Sequence, residues 1–115
     1  MPVIKYQQVK LTDIVMDGVK GVAKANVIGP QQGWSDYTLR VFRIHKGGFS
    51  PRHHHDWEHI NYVIKGRGKL RIEQEIFDLD EKDFAFVPPN VEHQFENPYD
   101  DDFEFICIVP DRGAY

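Results

Sequence analysis

Residues 47–66 read GGFSPRHHHDWEHINYVIKG, and the placing of histidine and glycine in this stretch decides how the chain folds. Successive side chains of an extended chain alternate between two faces. His53 and His55 therefore share one face and His54 takes the other. Two imidazoles two residues apart on a strand can chelate one metal ion. His59 follows at the head of HINYVI (59–64), whose alternation of polar and apolar residues is that of a half-buried strand. Taken alone, three consecutive histidines equally describe a solvated loop, because histidine serves many roles. The wider spacing separates the readings. It runs Gly47-x5-His53-x-His55-x3-His59-x6-Gly66, then Pro88-x-Asn90-x2-His93-x3-Asn97. For His93 to reach the first three histidines, a sheet must fold back on itself.

Outward from this stretch, strand signals dominate. YTLRVFRIH (37–45) is rich in β-branched and aromatic residues, and FEFICIV (103–109) ends the pattern. Shorter apolar-bearing runs lie at 69–72, 75–79 and 84–87. Turn clusters separate them: KGG at 46–48, KGRG at 65–68, DEKD at 80–83, PPN at 88–90 and NPYDDD at 97–102. Short strands at such intervals predict an antiparallel sandwich or barrel, and no long helical period competes. In the first thirty residues, Val3 to Val9 reads either as an edge strand or as an arm onto a partner subunit.

The two spaced segments resemble the two motifs of the cupin family. That family's first motif is Gly-x5-His-x-His-x(3–4)-Glu-x6-Gly, and this chain departs from it only by placing His59 where glutamate is usual. In the second motif Lys82 stands where glycine normally opens it, and Pro88-Pro89-Asn90 stands for Pro-x-Gly. Asparagine tolerates positive φ, so that turn survives the change. DWEHINYVIKG (56–66), VKGVAKANVIG (19–29) and FICIVP (105–110) are similar to the small single-domain cupins that hold manganese with four histidines. The resemblance implies an all-β fold, a single cupin β-barrel (jelly roll) over 1–115. Its parts are an N-terminal arm or edge strand at 1–30, the first motif at 47–66 and the second at 82–97. It also implies a homodimer, with Val3 to Val9 as a candidate exchanged strand.

Within that frame the expected metal ligands are His53, His55, His59 and His93, holding one divalent transition metal. Four neutral imidazoles leave its charge uncompensated, whereas three histidines and a glutamate cancel one unit. The ion is then a stronger Lewis acid that favours oxygen-donor or anionic ligands. Imidazole suits zinc, copper, iron and nickel, while manganese is the resemblance's implication. Asn61 either faces the pocket beside His59 or is solvated at a strand end. Cys107 shares a face of the last strand with Phe103, Phe105 and Val109, and Glu104 starts the opposite face. Cys107 is therefore either an inert buried residue or part of the cavity wall. Phe42, Ile44, Phe84, Phe86 and Phe95 are candidates for the core or the pocket lining. Trp34 and Trp57 either cover a pocket mouth or pack at a subunit contact. Arg40 and Arg52 either steer an anion or lie on the surface. Glu58 neighbours His59 and should point away from it.

Composition narrows the function. The 115 residues are 41% hydrophobic and 13% aromatic, as in a globular chain, and a net charge of -4 with no basic run argues against nucleic-acid binding. No segment approaches a membrane span, and MPVIKYQQVK lacks the apolar stretch of a signal peptide, so the expectation is a cytoplasmic protein with no membrane partner. Cys107 stands alone, which excludes an intrachain disulfide and a cysteine zinc motif. The leading expectation is a metal-dependent, dioxygenase-like oxidoreductase acting on a small organic molecule. The alternatives are a non-catalytic barrel that binds or senses a small molecule, a sugar or keto-acid isomerase-like cupin, and a structural zinc site.

Overall fold

The alternation in FEFICIVP builds β9 (Phe103–Pro110), an interior strand of the sheet. On its inward face Phe103, Phe105, Cys107 and Val109 are each no more than 2% exposed. The computed structural model describes residues 3–113. The other strands are β1 (Thr12–Asp13), β2 (Lys20–Ile28), β3 (Tyr37–Phe49), β4 (His59–Lys65), β5 (Gly68–Ile72), β6 (Glu75–Leu79), β7 (Phe84–Val87) and β8 (His93–Glu96). The hydrogen-bonded order is β6-β5-β8-β3-β9-β4-β7, with β2 on β3 and β1 on β2, and every pairing is antiparallel. The sheet curls into a nearly closed barrel around Val22, Ile44, Val63, Leu70, Val87 and Phe95. Among the described residues no helix is long and apolar enough to cross a membrane.

Several expectations need correction. Val3 to Val9 forms no strand; Tyr6–Gln8 is a single 3-10 turn, and the strands of the N-terminal thirty residues are the two-residue β1 and the longer β2. KGG (46–48) does not end its strand, since β3 runs through it to Phe49, with Gly47 at φ 78°. Phe84 and Phe86 do not enter the core; they are 76% and 55% exposed. The register explains this. His59 pairs with Val87 and Asn61 with Ala85, so the inward positions of β7 are the small ones and its phenylalanines face out. Glu104 does face away from the barrel interior, yet it is only 1% exposed. The N-terminal segment covers it: Tyr6 donates its hydroxyl hydrogen to Glu104, and Arg43 Nε donates to the same carboxylate at 3.0 Å.

Backbone geometry holds where the residue type departs from the family pattern. Lys82 sits at φ 73° and Asn90 at φ 63°, both left-handed. Asparagine suits that region, whereas lysine adopts it against its steric preference.

Candidate metal centre

The histidines come together because two distant segments pair through their backbones. His53 N–H donates to the carbonyl of His93 at 3.2 Å, and His93 N–H returns to the carbonyl of His53 at 2.9 Å. The turn before β8 is fixed to the same stretch, since Asn90 N–H donates to the carbonyl of His55 at 2.7 Å. β4 supplies the third element and starts on His59.

These contacts bring the rings into one cluster. His93 lies 4.9 Å, centroid to centroid, from each of His53, His55 and His59. Ring nitrogens of His53, His55 and His93 all lie within 4.8 Å of one another, close enough to hold a metal ion. His59 stands outside that group of three, but its Nε2 is 3.2 Å from Nε2 of His93. His59 and His93 are each 3% exposed, whereas His53 is exposed at the rim. His54, on the other face of the strand, is exposed and takes no part in this cluster.

The hydrogen bonds of the far ring nitrogens fix the tautomers. His55 Nδ1 donates to the carbonyl of Trp57 at 2.8 Å, and His93 Nδ1 donates to the carbonyl of Val91 at 2.9 Å. His59 Nδ1 meets Oδ1 of Asn61 at 2.7 Å, and the amide of Asn61 donates to the carbonyl of Ile106 at 3.2 Å. Because Nδ2 of Asn61 is committed to a carbonyl, its oxygen faces His59 and accepts. In all three rings Nδ1 therefore carries the hydrogen and Nε2 keeps its lone pair. Such a pairing leaves the Nε2 atoms of His59 and His93 as two acceptors 3.2 Å apart with no proton between them. A cation bound by both lone pairs resolves that opposition, so the donor set fits a metal.

Protonation points the same way. Burial is the main cause that pushes His59 and His93 down to about 4. Burial, reinforced by the neighbouring imidazoles, does the same to His53, and burial also lowers His55. At neutral pH the rings are uncharged and able to ligate.

Around the rings the wall is aromatic and small by turns. Trp57 stacks on His55 at 4.2 Å and 4° between planes, so it packs against a site residue rather than standing as a free loop tryptophan. Phe95 lies 6.2 Å from His59 and stacks on Phe105 at 4.3 Å. Asn61 is 1% exposed and takes the pocket-facing alternative. Cys107 is 2% exposed, packed with the core, and burial raises its thiol pKa. It takes the buried-core alternative, and it also accepts a hydrogen bond from Arg40 at 3.0 Å. Arg40 thus points inward, whereas Arg52 lies on the surface and pairs with Glu92 at 2.7 Å. The sequence did not specify Val91 and Trp57 as ring acceptors, because they act through backbone carbonyls that any residue type carries.

With this geometry in place, the comparisons with known proteins identify the family. The cupin domain model (Cupin_2) matches residues 40–109, more than half of the chain, and the chain belongs to the cupin family. It is 31% identical over 71 residues to 1-methylthio-D-xylulose 5-phosphate methylsulfurylase of Rhodospirillum rubrum, which covers 62% of this chain and 46% of that protein. The chain spans about half the length of the curated relatives it matches. Among solved structures, the polyketide cyclase RemF from Streptomyces resistomycificus superposes with a TM-score of 0.88 at 23% identity, over 96% of this chain and 79% of that one. A sugar phosphate isomerase of the cupin superfamily from Silicibacter pomeroyi superposes with a TM-score of 0.81 at 18% identity, over 95% and 75%. At these identities the structural likeness establishes the fold.

Proposed function

We propose that His53, His55, His59 and His93 hold one divalent transition metal, with manganese first, and that the chain is a metal-dependent oxidoreductase performing dioxygenase-like oxidation of a small organic molecule. The observation that carries this reading is the pair of Nε2 lone pairs of His59 and His93 facing each other at 3.2 Å, each fixed by a hydrogen bond on the far side of its ring. When bound, such an ion supplies a redox-capable Lewis acid whose charge no ligand carboxylate offsets.

The chain's own groups prepare that chemistry. Asn61, the Val91 carbonyl and the Trp57 carbonyl hold three rings in one tautomer, so binding costs little rearrangement. Phe95 and Phe105 keep water from the inner side of the cluster. Cys107, its thiol kept protonated by burial, does not compete as a thiolate ligand. Oxygen consumption by manganese- and iron-loaded protein over a panel of phenols, diketones and alkenes tests the reading. Turnover that is lost on metal removal supports it. Tight ligand binding without turnover turns the reading toward a non-catalytic binding barrel.

An isomerase-like function is the second reading. It is supported by a structural neighbour described as a sugar phosphate isomerase and a relative named for a xylulose phosphate. Conversion of a sugar phosphate without oxygen uptake distinguishes it.

The same proposal includes a homodimer. Ile60, Phe84 and Phe86 are at least 50% exposed and lie together on the outer face of β4 and the edge strand β7. Covering them in a second copy removes an apolar patch and an open sheet edge from water.

A further inference from the structure

Six arginines stand in the sequence, and five of them, Arg43, Arg52, Arg67, Arg71 and Arg112, have a carboxylate within 4.0 Å. Arg40 has none among the described residues. Its Nε is also the one buried side-chain nitrogen or oxygen among the described residues that has no hydrogen-bond partner. Buried N–H groups are almost always paired, so the unpartnered Nε of the half-buried Arg40 stands out.

The position of Arg40 gives this its meaning. It lies on β3 opposite Cys107 of β9, and Cys107 lies opposite Asn61 of β4. The three make one inward row, and Asn61 holds His59. One Nη of Arg40 donates to Cys107 Sγ at 3.0 Å, and the guanidinium carbon stands 4.9 Å from the centre of the Phe42 ring. A thiol is a weak acceptor, so this contact satisfies little of the donor capacity.

We propose that Arg40 is the anion-binding residue beside the histidine cluster and receives the carboxylate of a small organic acid. Nε and an Nη present two parallel N–H donors that match two carboxylate oxygens. The half-buried ring of Phe42, stacked on Phe105 at 5.4 Å, offers apolar surface to the rest of such a molecule. The inference deepens the reading of the site given above. It rests on that reading for the reacting centre, but not for the carboxylate contact itself.

Calorimetric titration with pyruvate and its neutral analogue pyruvamide tests this, using full-length protein both zinc-loaded and metal-free, with metal content measured in parallel. The expected result is that both forms bind pyruvate at least about tenfold more tightly than pyruvamide, from a charge-assisted pair. Arg40→Gln removes that preference with metal content unchanged, and Arg40→Lys keeps part of it. The inference is overturned if wild-type protein binds the two compounds equally, or if Arg40→Gln binds pyruvate as wild type does. A preference that survives Arg40→Gln but disappears with the metal assigns the anion to the ion, overturning this inference and leaving the metal centre standing. An Arg40-dependent preference in protein that takes up no metal supports this inference and overturns the metal centre.

Discussion

Asn61 shows how one side chain sets the chemistry of another. Its amide nitrogen is committed to the Ile106 carbonyl, so its oxygen must accept from His59, and Nε2 of His59 keeps its lone pair. Asn61→Leu removes that constraint at nearly constant size. It should weaken metal affinity about 10- to 100-fold, read by competition with a chelator, while the chain still folds. Protonation opposes the metal at the same residues. His59 and His93 lie near 4 in the folded chain, below the ordinary value of 6.5. Above pH 6.5 folded and unfolded chains both hold them neutral, and stability has its full value. As pH falls the unfolded chain takes up protons first, so stability is lost between pH 6.5 and about 4, at up to ~1.4 kcal/mol per pH unit for each group. Urea unfolding of metal-free protein across that range should show the decline, and a flat profile would contradict the burial of these rings. The histidines that cluster and their spacing were legible in the sequence. The carbonyl partners of His55 and His93 were not, because side-chain identity says nothing of where a backbone oxygen points.

Strand periodicity marked 75–79 and 84–87 at the limits of β6 and β7 in the structure. The inward face of β7 escaped the same reading. With phenylalanine at 84 and 86, alternation and hydrophobicity together favoured burying the large residues. Pairing with β4 instead puts Ala85 and Val87 beside Asn61 and His59, where bulk would displace the site. β2 and β8 were missed for another reason. β8 has four residues, and KGVAKANVI mixes lysine with small residues in a weak period. The turns carry their own test. Lys82 holds φ 73°, so Lys82→Gly should stabilise the chain by about 1 kcal/mol, read as a raised thermal midpoint. Gly66 is at φ 76°, and a Cβ there would strike the carbonyl oxygen of Asp102, so Gly66→Ala should cost more than about 2 kcal/mol. Equal melting of both variants and wild type would refute the assignment of strain to these turns.

A barrel with open strand edges must manage its exposed surface, and β7 is one of those edges. If Phe84 and Phe86 meet a second copy, the double variant Phe84→Asp with Phe86→Asp should sediment as a monomer at micromolar concentration, while wild type sediments as a dimer. Wild-type monomer would remove the dimer from the account. The barrel itself was legible because two histidine segments some thirty residues apart in the chain had to meet. The inward course of Arg40 was not, since a single arginine in a strand reads as surface until register is known. The whole molecule then reduces to one claim, that two strand-borne segments make one ion site from imidazoles alone. Metal analysis of protein purified without a tag or chelating column tests it most directly. The account predicts about one transition-metal ion per chain, falling below about one tenth in His59→Ala and in His93→Ala. Wild-type protein without metal, or His93→Ala with its metal content unchanged, would contradict it.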